Sequence, residues 1–128
     1  MPNRPAFSPD WREGRYFDRW MFVHVASGVA GGFSNVFFGL SVPKTVLVGA
    51  LVMTLWEVGE SIAGVNEAFS NRALDVVAGL IGLAVALAVA SRLSPAGEHI
   101  AFAVSLALAS ASSFEGWLDY RRRKRERP

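Results

Sequence analysis

The sequence predicts an all-α integral membrane protein, a four-helix bundle with antiparallel, up-down topology. Three observations predict it. Four apolar segments, 20–40, 44–63, 73–93 and 99–118, each approach the roughly 20 residues a helix needs to cross a bilayer. The chain is 52% hydrophobic and only 19% charged, and most of that charge is kept to the ends. Finally, Leu80–Ala90 and Ile100–Leu108 are apolar on nearly every side apart from Ser105. A water-soluble bundle of this length would put a polar face on every helix, whereas lipid solvates such surfaces.

These segments divide the chain into an N-terminal arm (1–19), a transmembrane domain (20–118) and a basic tail (119–128). Their boundaries carry local chemistry. Ser41-Val42-Pro43 reads as a tight turn with Pro43 at the first position of the second helix, where its missing N–H is harmless. Asn71 is the expected N-cap of the third helix. Asp75 is then expected in its first turn, where the dipole favours an anion. Ser94-Pro95-Ala96-Gly97 reads as another turn. The arm carries Asp10, Glu13 and Asp18, so the first segment reads as a span rather than a secretory leader. With no cysteine in the chain, disulfides, thiolate metal sites and a Cys nucleophile are excluded.

Orientation follows from the bias in Lys and Arg. Of the 13 such residues, only Lys44 and Arg92 fall on one side. Arg4, Arg12, Arg15, Arg19, the connection residue Arg72 and the basic tail fall on the other. Both termini are therefore expected in the cytoplasm. Trp11, Tyr16, Phe17, Trp20, Trp117 and Tyr120 lie where an interfacial aromatic belt belongs. Small residues set the expected packing. Gly28 and Gly32 stand four apart in the first segment, Ala78, Gly82, Ala86 and Ala90 in the third, and Ala101, Ser105, Ala109 and Ser113 in the fourth. Such stripes let helix backbones approach closely in lipid.

The polar residues inside the spans are the candidate site. They are His24, Glu57, Glu60, Arg72, Asp75 and Glu115. With helices alternating in direction, all fall at one depth in the cytoplasmic half. An unpaired charge at the bilayer centre costs about 2.5–3.5 kcal/mol on insertion scales, so the carboxylates need partners, and Arg72 and His24 are nearest. One reading is an ion-pair network that fixes helix register. The other is a site for a proton, a metal or a lipid headgroup. Glu57 and Glu60 come with no nucleophile or metal-ligand signature. No catalytic residue and no metal ligand is therefore assigned, and the chain is expected not to be an enzyme. No cofactor is expected either. A tetrapyrrole held by His24 beside the glycines is the one alternative. Arg121, Arg122, Arg123, Lys124, Arg125 and Arg127 are expected to dock on anionic lipid or a partner, at about 1 kcal/mol per basic residue near the surface. A nucleic-acid partner is not expected.

The pattern Trp56-Glu57-x-x-Glu60, Asn66-Glu67, Asn71-Arg72-x-x-Asp75-x-x-x-Gly79-x-x-Gly82 resembles the VanZ-like family of small bacterial membrane proteins. His24 fits its first helix, and the likeness covers about residues 18–83. The resemblance implies the polytopic architecture and the choice of polar residues. The family's best-known member is associated with glycopeptide-antibiotic resistance. Two functions are therefore expected. The first is a non-enzymatic accessory subunit docked among other integral membrane subunits, for example of a respiratory or photosynthetic complex. The alternative is a freestanding VanZ-like envelope protein that uses its polar cluster on lipid, a proton or a precursor.

Overall fold

The computed structural model describes residues 5–12, 14–65 and 67–126. Arg4, Glu13, Asn66 and Arg127 lie outside them. The described residues form a four-helix bundle. Its first span is α1 (Trp20–Phe33) continued by the short α2 (Asn35–Phe38). The others are α3 (Val42–Ile62), α4 (Phe69–Ala90) and α5 (Pro95–Arg125). All four spans are long and apolar enough to cross a membrane.

Small residues decide which helices meet. α1 lies against α4 with almost no side chain between them. A β-carbon on Gly28 would collide with the Gly79 carbonyl, and one on Gly82 with the Val25 carbonyl. Gly32 meets Ala86 and the Leu83 backbone in the same way. Ala78 and Ala86 are buried in this seam, and Ala90 at its end is half-buried. Backbone contact this close maximises dispersion, which drives helix association where lipid removes the hydrophobic effect.

The other helices pack on this pair. α5 covers another side of α1, with Trp20 on Gly116 at one end and Phe37 edge-on to Phe102 at the other. α3 leans on α4, where Met53 fills the space beside Gly79 and Leu83 touches Gly49. Residue numbers thus run in opposite senses along α3–α4 and α1–α5, and in the same sense along α1–α4. α3 is the loosest member, and its only buried residues are Thr45 and Glu57.

Several boundaries differ from the expectation. The first span breaks at Ser34, whose hydroxyl donates to the Gly31 carbonyl at 2.7 Å, a local bond that competes with the helix ladder. Gly39 then ends α2 at φ 59°. In the following turn the Asn35 amide donates to the Leu40 carbonyl and accepts from the Leu40 N–H, each at 2.9 Å, and also accepts from Thr45 Oγ1. Backbone groups at this depth need such partners, because lipid offers none. Pro43 is the second rather than the first residue of α3. α4 begins at Phe69, so Asn71 is not the N-cap and Arg72 is not in the connection. The cap is Ala68, which makes no side-chain bond. Asp75 consequently sits beyond the first turn. Ser94 does cap α5, accepting from the Gly97 N–H at 3.2 Å. The basic tail is no separate segment, since α5 runs on through Arg125.

The arm folds across the end of the bundle where α1 and α4 begin. Phe7 and Phe17 form an isolated bridge, and the Ser8 N–H donates to the Phe17 carbonyl at 2.9 Å. Trp11 is buried and meets Trp20 edge-on at 5.1 Å. Arg123 of α5 donates to the Trp11 carbonyl at 2.8 Å, and Ser70 of α4 to the Arg15 carbonyl at 2.8 Å. At the exposed edge, the Arg12 guanidinium and then the Ser8 hydroxyl hold the Asp10 carboxyl well below the usual carboxylate range.

The glycine seam makes a direct prediction. Gly28→Val and Gly82→Val should each destabilise the protein in detergent by about 1–3 kcal/mol, the usual cost of overpacking. Gly59, with open space around it, should accept alanine within about 0.5 kcal/mol. Thermal unfolding followed by circular dichroism measures all three, and equal melting temperatures would contradict the packing described.

Candidate functional site

The α1–α4 seam ends in a polar cluster. His24 stands about 6 Å into α1, Asp75 about 9 Å into α4 and Glu57 about 7.5 Å from the end of α3, at 1.5 Å per residue. His24 Nε2 lies 3.5 Å from Glu57 Oε1 and 3.9 Å from Asp75 Oδ2. The side chains of the three are 11%, 7% and 1% exposed. Glu57 reaches inward because it shares an α3 face with Met53, the residue that seats on Gly79.

Asn71, fully buried, organises the rest. Its amide nitrogen donates to Asp18 Oδ2 at 2.9 Å, faces Asp75 Oδ2 at 3.4 Å and lies closest to Glu67 Oε1. An amide has two N–H groups and here meets three carboxylates. Asp18 has other donors, the Gly14 and Trp20 N–H groups at 3.0 and 2.9 Å. Glu67 has Arg72, whose Nε is 3.5 Å from Oε2 and whose terminal nitrogen donates to the Val65 carbonyl at 2.7 Å. Both Glu57 oxygens and Asp75 Oδ1 are buried with no hydrogen-bond partner among the described residues. Carboxylate oxygens of Glu57, Glu60 and Glu67 also lie within 4.8 Å of one another. Glu60 itself is half-buried and accepts from Trp56 Nε1 at 2.9 Å.

The sequence-derived residues are thus placed unequally. His24, Glu57 and Asp75 meet, and Glu60 and Arg72 stand at the margin. Of the two expected partners for the carboxylates, Arg72 is taken up by Glu67 and the Val65 carbonyl. Glu115 is not in the cluster. It lies exposed on α5, 3.8 Å from Arg19, since α5 packs on a different side of α1. In the tail, Arg123 is drawn to Asp119 at 2.7 Å and to Trp11, while Arg121 lies over the Trp117 ring. Asp18, Glu67 and Asn71 were not expected in the cluster, although Glu67 and Asn71 stand in the pattern quoted above. A signal existed, because Glu67, Asn71 and Asp75 stand four apart, the spacing of one helix face.

Beside the cluster lies an apolar slot of about 380 Å³, floored by the first span from Val23 to Asn35 and walled by α3 from Thr45 to Trp56, with Ser113 of α5 opposite. His24 belongs to both slot and cluster. On the other flank of α3 a second groove is lined by Glu57, Arg72 and apolar residues including Phe69 and Val76.

Asp18 ties the arm to this site, which is testable. Asp18→Ala removes hydrogen bonds to a charged acceptor, worth about 1.5–3 kcal/mol each. Trypsin should then cut at Arg12 and Arg15 faster than in the wild type, with helix content unchanged. An unchanged cleavage rate would mean the arm is held by its other contacts, Trp11 and the Ser70 bond to Arg15 among them.

No family model, no curated protein and no solved structure matches this chain.

Proposed function

We propose that this chain is a freestanding VanZ-like membrane protein that binds an amphiphile, a lipid or lipid-linked precursor. The polar end would sit at the His24–Glu57–Asp75 cluster and the apolar body in the slot along α1. The observation that carries this reading is His24, which faces carboxylates on one side and the apolar slot on the other. An apolar channel ending at a few convergent polar groups is the usual form of a small-ligand site. The slot's floor, Val23 to Asn35, extends about 18 Å at the helical rise, more than half of a hydrocarbon core about 30 Å thick.

Filling the slot tests the reading. Val48 lines it and is itself half exposed. Val48→Trp should cut the amphiphile retained by purified protein about tenfold, equivalent to ~1.4 kcal/mol, with melting unchanged. Native mass spectrometry and lipid extraction measure it. Equal retention in both proteins would count against the slot.

The accessory-subunit reading is favoured by a different observation, the loose seating of α3, which buries only Thr45 and Glu57. Such a helix offers a face to a neighbouring subunit. Extraction in mild detergent separates the readings. A stoichiometric large assembly would favour the subunit, and monomers or small homo-oligomers the freestanding protein.

The proposed orientation puts both chain ends in the cytoplasm of a bacterial cell. The chain has no cysteine, so single substitutions report cleanly. An impermeant maleimide on intact cells should label Ser94→Cys, and should label Tyr120→Cys only after permeabilisation. The reverse pattern would invert the orientation.

A further inference from the structure

We infer that His24, Glu57 and Asp75 bind one divalent first-row metal ion of the zinc or manganese kind. This deepens the reading of the cluster as a ligand site and names what holds the polar end of the amphiphile.

The spacing is that of metal ligands rather than hydrogen-bond partners. One ligand atom from each residue lies within 4.8 Å of the other two. Two ligands about 2.1 Å from a tetrahedral ion stand about 3.4 Å apart. The distances from His24 Nε2 are 3.5 Å to Glu57 and 3.9 Å to Asp75, whereas a hydrogen bond would bring these atoms to about 2.9 Å. Both Glu57 oxygens and Asp75 Oδ1 are buried without a partner among the described residues, and burying such acceptors unpaired is costly.

Charge points the same way. Asp18 is satisfied by three N–H donors, and Glu67 sits against Arg72. Glu57 and Asp75 have no such partner among the described residues, and the two charges of a dication balance that pair. Neutrality matters in a low-dielectric setting, where uncompensated charge is not tolerated. The donor set selects the ion. Magnesium and calcium favour all-oxygen shells, whereas one imidazole with carboxylates suits zinc, manganese or iron. Asn71, facing Asp75 Oδ2 at 3.4 Å, orients that ligand from behind. Three protein ligands leave a position open, and because His24 borders the slot, an anionic oxygen of a bound amphiphile can reach it.

The test uses the full-length protein in detergent, stripped with chelator and dialysed against buffered Zn²⁺ or Mn²⁺, with metal measured by mass spectrometry. Wild type should retain about one ion per chain, and the metal should raise its melting temperature. His24→Ala, Glu57→Gln and Asp75→Asn should each retain less than about a tenth of that, and Asn71→Leu should weaken binding about 10- to 100-fold. Glu115→Gln, away from the cluster, should bind as wild type. Circular dichroism of each variant at low temperature establishes that it is folded. Substoichiometric metal on wild type would overturn the inference, as would folded Glu57→Gln and Asp75→Asn proteins that bind normally. Amphiphile retention is read separately. Amphiphile that survives chelation on a chain without metal overturns the metal's role in holding it, whereas metal bound with no amphiphile retained overturns the slot alone.

Discussion

α1 and α4 touch backbone to backbone, and the rest of the bundle is arranged around that contact. In lipid there is no water to be released when apolar side chains meet, so close approach supplies the attraction. Gly28, Gly32 and Gly82 make it available, because a β-carbon on any of them would enter the facing backbone. The contact fixes the register of the two helices. That register sets His24 beside Asp75, and Met53 at Gly79 brings Glu57 of α3 to the same depth. The polar cluster is therefore a product of glycine packing one to two turns away. The slot has the same origin, since α1 can seat closely on α4 or on α3, and it seats on α4.

The cluster also shows how a membrane protein sorts its carboxylates. Asp18 and Glu67, nearest the arm, are met by N–H groups and by Arg72. Glu57 and Asp75, deeper in, face each other and His24. A network built only to fix register would place its donors where desolvation is greatest, because there an unmade bond is most destabilising. Here Glu57 and Asp75 Oδ1 lack donors among the described residues although they are buried to the same degree as Asp18 and Glu67. That imbalance supports the ligand-site reading proposed above.

Much of this was legible in the sequence, for a physical reason. Hydropathy over a span is a sum of many residues, so the four helices and the small-residue stripes survive local error. His24, Glu57 and Asp75 were legible because an ionisable residue stands out against an apolar background. What failed depended on single residues or on tertiary contact. Asn71 has the chemistry of a cap, yet α4 starts two residues earlier and turns it inward. Glu115 has the right depth, but depth says nothing about which side of α1 a helix packs on. Asp18 was hidden because its role is set by the fold of the arm, which has no periodicity to read.

The unbroken α5 has a mechanical consequence. At 1.5 Å per residue its 31 residues extend about 46 Å, some 16 Å more than a hydrocarbon core of about 30 Å. Its arginines are thus carried on a rigid spar leaving the membrane rather than on a loose tether lying along it. The charges have separate addresses. Arg121 lies over Trp117, Arg123 is turned back to brace the arm, and Arg125 is exposed.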